Sequence, residues 1–236
     1  MPTKIISSSG VIADLVERQM RNWELARQQR IKPSETEDVG VEDFVCVSRQ
    51  VGTEGGKVAI QVGEELGWPV FDREILDAMA GDDEMRRQVY ESMDERDLDW
   101  WEESLRSLMR SEFVRNDYFR RLSETLLSLA RQGNCVFLGR GADLILPAER
   151  GFRVRLVAPL AARIKLYSQM HGLTAAEAEG QMGRIELARH KFFRHHFGVD
   201  VDDPVRYHMT INLARCSIAE AAAMISQVRR IRKTSL

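Results

Sequence analysis

Apolar and polar positions along the chain fall into short unbroken runs that alternate with helical spacings. FVCV at 44–47 and CVFL at 135–138 are uninterrupted apolar stretches rich in β-branched and aromatic side chains, as expected of strands buried on both faces. PVF at 69–71, VRLV at 154–157 and, with a weaker pattern, MTIN at 209–212 read as three further strands. Between the first two of these in chain order, Ala59, Val62, Gly63 and Leu66 recur at i, i+3, i+4 and i+7, which predicts a helix closed by Gly67 with Pro69 beyond it. A helix over 160–170 stops at Gly172, and the capping boxes TAAE at 174–177 and SIAE at 217–220 open two more, the last carrying Ile218, Ala221, Ala222, Ile225 and Val228. From 73 to about 132 there is no strand signal. Leu98, Trp101, Leu105 and Leu108 form one helical stripe there, and Phe119, Leu122, Leu126 and Leu129 form another ahead of Gly133.

Strands that alternate with helices predict an α/β domain with a parallel sheet covered on both faces. The run from 11 to 30 has loosely helical apolar spacing at Ile12, Leu15, Val16, Met20 and Trp23, and 31–42 is polar with Pro33. Residues 1–40 are therefore expected to be a helical extension and linker, with the main domain at 41–236. The extension is a candidate for packing on a second copy of the chain or on its own domain.

Composition narrows the function class. The chain has 236 residues, 44% of them hydrophobic and 30% charged, with 34 Lys and Arg against 36 Asp and Glu. That length buries enough surface to fold without disulfides or a structural metal. Near-neutral charge argues against a nucleic-acid binder that coats the phosphate backbone. With no signal-peptide core and no long apolar run, neither export nor a membrane span is expected, and a cytoplasmic protein is. Cys46, Cys135 and Cys216 lack CxxC partners and read as reduced packing residues. His190, His195 and His196 lack the spacing of a zinc site.

Ligands of open α/β sheets bind beyond the carboxyl ends of the strands. Those ends carry Ser48, Arg49 and Gln50, then Asp72, Arg73 and Glu74, the run GRG at 139–141, and Asn212. The turn Gly52, Thr53, Glu54, Gly55, Gly56 and Lys57 lies between a strand and a helix N-terminus, where backbone N–H groups and the helix dipole favour a phosphate and a lysine neutralises it. It departs from GxxxxGK[ST], with Val51 in the first glycine slot and Val58 in the hydroxyl slot. Arg140 between two glycines is placed to grip a phosphate with its planar fork. The segment with Arg184, Arg189, His190, Lys191, Arg194 and His195 is a basic helix suited to closing over phosphates, with Phe192 or Phe193 turned to the core.

Taken in order, VSRQVGTEGG at 47–56, VFDREIL at 70–76, GRGAD at 139–143, VRLVAP at 154–159 and DPVRY at 203–207 resemble the cytidylate kinase-like branch of the P-loop nucleoside monophosphate kinases. The resemblance implies a three-layer P-loop NTPase fold with a five-stranded parallel sheet. A helical acceptor-binding insertion would follow strand 2, at about 73–132, and a lid would lie at about 173–200. It implies phosphoryl transfer from ATP, with Mg²⁺, to a nucleoside monophosphate, CMP or dCMP. Residues 52–57 would hold the ATP phosphates and Asp72, Arg73, Arg140 and Asp143 the acceptor. Arg184, Arg189 and Arg194 would face the moving phosphoryl group, Lys57 or Arg49 would be the phosphate cation, and Thr53 is a possible Mg²⁺ ligand. The imperfect turn supports an alternative, a nucleotide-binding regulatory or interaction protein of the same fold that has lost the transfer.

Overall fold

The structure is a computed structural model and describes residues 41–81, 117–148 and 150–234. The expected extension at 1–40 and the stripe of Leu98, Trp101, Leu105 and Leu108 lie outside the described residues.

The five apolar runs form the expected strands: β1 (Phe44–Arg49), β2 (Val70–Phe71), β3 (Cys135–Leu138), β4 (Gly151–Val157) and β5 (Met209–Asn212). They make one all-parallel sheet in the order β2-β3-β1-β4-β5. Parallel neighbours require a crossover on every connection, so helices cover both faces and the strands read as unbroken apolar runs. On one face, α1 (Gly55–Leu66) and α7 (Ile218–Thr234) bury Val58, Ala59, Val62, Ala221, Ala222 and Ile225 against Val45, Val47, Val136, Val154 and Leu156. The other face carries α2 (Arg73–Gly81), α3 (Asp117–Gln132) and the single turn α4 (Ala142–Ile145). There Ile75, Leu76, Leu122, Leu126 and Leu129 pack on Phe44, Phe71 and Phe137. α5 (Leu160–His171) and α6 (Ala175–Phe197) form a helical pair beyond the end of β4.

The end signals read in the sequence are realised. Gly67 and Gly172 take left-handed φ of 68° and 65° and close α1 and α5. Both capping boxes form, Thr174 with Glu177 and Ser217 with Glu220. Gly63 is required by close approach rather than by conformation: a Cβ there would stand 2.3 Å from Cγ2 of Val70, so its absence lets α1 lie on β2. Cys46, Cys135 and Cys216 are in no disulfide among the described residues, and burial pushes the Cys46 thiol well up. No helix among the described residues is long and apolar enough to cross a membrane.

Because every strand points the same way, Arg49, Asp72, Gly139, Ala158 and Asn212 all emerge at one edge of the sheet.

Candidate functional site

Two hollows open at this edge among the described residues, one lined by the glycine turn and one by the ends of β1 and β3. The larger, about 750 Å³, lies between Gly52, Thr53, Lys57 and Ile60 of the turn and α1, Ala162, Arg163 and Leu166 of α5, and Leu213, Cys216 and Ile218 at the end of β5. The smaller, about 360 Å³, is roofed by α6 and lined by Ser48, Arg49, Arg73, Gly139, Arg140, Arg155, Ile185, Ala188, Arg189, Phe192, Phe193 and Val201. Five arginines on so small a space, with no carboxylate among the described residues of its wall, suit it chemically to concentrated negative charge.

Each arginine reaches the cavity for a local reason. Arg49 ends β1 and runs past two glycines whose missing side chains make its channel. A Cβ on Gly139 would stand 2.3 Å from its Nη1, and one on Gly55 would stand 2.8 Å from its Cβ. Burial, then the charge of Arg189, lowers the Arg49 pKa from its ordinary value to about 10, with Arg73 and Arg140 adding to the effect and Asp72 opposing it. Arg189 is lowered as well, first by burial and then by Arg155, and its Nη1 donates to the carbonyl of Arg49 at 3.3 Å.

Arg140 sits at φ 57°, the one positive-φ non-glycine among the described residues, between Gly139 at 81° and Gly141 at 70°. A left-handed arginine costs on the order of 1 kcal/mol and persists where the fold gains from the direction it gives the side chain. Arg155 lies opposite Ser48 on the neighbouring strand and donates to its Oγ at 2.7 Å, while its other nitrogen is paired with Asp202.

The glycine turn has anion-binding form. Gly55 and Gly56 open α1, where N–H groups have no acceptor within the helix. Gly52 takes φ 77°. Thr53 donates its hydroxyl proton to the carbonyl of Gln50 at 2.9 Å, which leaves the oxygen lone pairs outward. Lys57 is ion-paired with Glu54 and its side chain is 65% exposed.

The remaining predicted residues separate. Asp72 is half-buried and caps α2, its Oδ1 accepting from the N–H groups of Glu74 and Ile75 at 3.0 Å each. Asp143 is buried in α4 and pairs with Arg206 at 2.7 Å, and burial, partly offset by Arg206, raises its pKa. Of the three arginines expected in a lid, Arg184, Arg189 and Arg194, Arg189 alone lines the arginine cavity. Arg184 is exposed, and Arg194 lines a separate hollow with Leu187, His190, Lys191, Asp200 and Asp202. Phe192 and Phe193 both turn inward, and Phe193 stacks on Phe197 at 5.8 Å.

Arg155, Arg163, Glu186 and Asp202 are site residues that the sequence reading passed over. Arg155 carries a usable signal, a charge near the carboxyl end of β4, flanked by the apolar Val154 and Leu156. The partners Asp202 and Glu186 carried none, since only the fold brings them back to the sheet edge.

A model of the cytidylate kinase-like family matches residues 44–215. Comparison with curated proteins finds no match. An uncharacterised protein from Eubacterium ventriosum ATCC 27560 superposes with a TM-score of 0.65 at 18% identity, covering 81% of this chain and 99% of its own. A gluconokinase from Sinorhizobium meliloti 1021 superposes at 0.41 with 15% identity, over 83% of this chain and 98% of its own. The sheet order and layering described above are those of the P-loop fold expected from the motifs.

Proposed function

The chain belongs to the cytidylate kinase-like family, and on that footing we propose that it transfers the γ-phosphoryl group of ATP to a nucleoside monophosphate, CMP or dCMP. The observation that carries this reading is the convergence of Arg49, Arg73, Arg140, Arg155 and Arg189 on one cavity beside a phosphate-binding turn. Two polyanions brought together repel, and a desolvated cluster of fixed cations removes that repulsion without reorganising during the reaction.

The larger hollow suits the donor nucleotide. Ile60, Leu166, Leu213 and Ile218 offer apolar surface to a base, and its volume is that of an ordinary small-molecule site. The donor phosphates then reach the N–H groups of Gly55 and Gly56. The smaller hollow takes the acceptor phosphate, gripped by Arg140 and Arg73. Arg49 and Arg189, between the two, face the group in transit, and Arg49 rather than Lys57 serves as the phosphate cation because Lys57 is turned to Glu54. α6 excludes water from the line of transfer. Thr53 is the residue of the turn fitted to hold Mg²⁺, with its proton already committed to Gln50. Mg²⁺ when bound supplies further charge neutralisation on the donor phosphates.

The test is incubation with ATP, Mg²⁺ and each common nucleoside monophosphate in turn. ADP and the matching diphosphate should appear together with CMP or dCMP. The exposed Lys57 and the missing hydroxyl at Val58 favour a second reading, a nucleotide-binding regulatory protein of the same fold. In that case ATP raises the melting temperature and no diphosphate forms with any acceptor.

A further inference from the structure

The ion pair between Arg163 of α5 and Glu186 of α6 has no direct part in the transfer just described. Nη1 of Arg163 and Oε1 of Glu186 are 2.6 Å apart, and the arginine side chain is only 8% exposed. Arg163 Nε donates to the carbonyl of Ala158 at 3.0 Å, and Nη1 also donates to the carbonyl of Val51 at 3.0 Å. The N–H of Val51 donates in turn to Oε1 of Glu186 at 3.3 Å. Both main-chain polar groups of Val51, the residue that leads into the glycine turn, are thus held by one ion pair. The next residue is held by packing. A Cβ on Gly52 would stand 2.8 Å from the carbonyl oxygen of Arg163 and 2.9 Å from Cε of Met182 in α6. Met182, Glu186, Arg189 and Phe193 recur at helical spacing, so one face of α6 presents the buttress to the turn and the arginine to the cavity.

We propose that Arg163 and Glu186 are positioning residues that couple the shape of the phosphate turn to the seating of α6. If α6 lifts, Val51 loses its acceptor, Arg163 is left buried without its carboxylate, and Gly52 loses the methionine behind it. A buried charge that loses its partner is costly, so the seated helix and the ordered turn are two parts of one equilibrium. By linkage, an anion that orders the turn must also hold α6 down, by the same factor. This coupling rests on the proposed reading of the turn as the donor-phosphate site only for the identity of that anion.

Amide hydrogen exchange on the full chain, followed by peptides, tests it without relying on activity. Glu186→Gln keeps an acceptor for Val51 and removes the charge. It is expected to speed exchange at least about fivefold both over 51–56 and over 182–193, with β3 at 135–138 unchanged. Faster exchange over 182–193 alone, or a uniform rise that includes 135–138, overturns the proposal, since the pair is then a local or global stabiliser. Inorganic tripolyphosphate is the second arm. In the native chain it should slow exchange over both segments, and in Glu186→Gln over 51–56 only. Protection of 182–193 that persists in the variant overturns the coupling. If tripolyphosphate leaves the native chain unchanged, the donor-site reading fails while the ligand-free comparison still decides the coupling.

Discussion

Arg49 is held in a place that is unfavourable to it when no anion is present. Its pKa of about 10 lies below the ordinary arginine value, so the guanidinium stays charged at neutral pH and the fold bears the cost of that charge. Since the folded value is the lower one, the cost is complete at all pH below about 10 and fades only as pH rises from about 10 toward the ordinary arginine value. This residue therefore lends stability no pH dependence between about 5 and 9. Arg49→Met should raise the melting temperature of the ligand-free chain, by a change worth about 1–2 kcal/mol after solvent screening is allowed for, and should abolish the thermal shift caused by ATP. Lys57→Ala should lower kcat/KM by less than about threefold, as expected of an exposed lysine paired with its neighbour. Gly139→Ala puts a Cβ on the Arg49 guanidinium at a φ of 81°, and a fall of more than about tenfold in kcat/KM should accompany a lower melting temperature. The glycines and Arg140 were legible in the sequence because a glycine doublet around an arginine at a strand end has few structural explanations. That Arg49 takes the interior position and Lys57 the exterior one was not legible, since it depends on the fold bringing Gly55 and Gly139 against the Arg49 side chain.

At the scale of elements, α6 carries the discrimination. Its start was readable from the capping box, but its inward face was not, because Arg184, Arg189, Lys191 and Arg194 distribute charge around most of the helix. Met182 decides the matter by packing inward, and Phe192 and Phe193 line the arginine cavity together with Arg189. Arg189→Ala should thus lower kcat by more than about tenfold, while Arg184→Ala and Arg194→Ala stay within about threefold in the same steady-state assay. Thr174→Ala removes one half of the capping box and should lower stability by about 0.5–2 kcal/mol in denaturant unfolding, with the chain still folded. Asp202 adds a pH signature to the segment that follows α6. Burial acts to raise its pKa, but the charge of Arg155 and the bonds from Arg155 and His190 prevail and lower it. Its stabilising contribution is consequently present above the ordinary carboxylate range and is lost as pH falls through the lowered folded value.

For the whole molecule, the strands, the crossover helices and the sheet edge that bears the site all followed from apolar runs and glycine punctuation. The lateral order of the strands did not, because every buried parallel strand presents the same pattern to its neighbours. The pairing of distant residues was equally hidden: Arg206 with Asp143, Arg155 with Asp202 and Arg163 with Glu186 join segments whose sequences carry no mark of each other. In the proposed function the glycine turn and the arginine cavity act together on one phosphoryl group. Its most direct test is product analysis of the chain with ATP, Mg²⁺ and CMP, read as ADP and CDP against time for the native chain and for Arg140→Ala. ADP and CDP should form in equal amounts and only when CMP is present, at a rate more than about tenfold lower in the variant. ADP without a diphosphate partner, or no product with CMP, dCMP or any other nucleoside monophosphate, would contradict it.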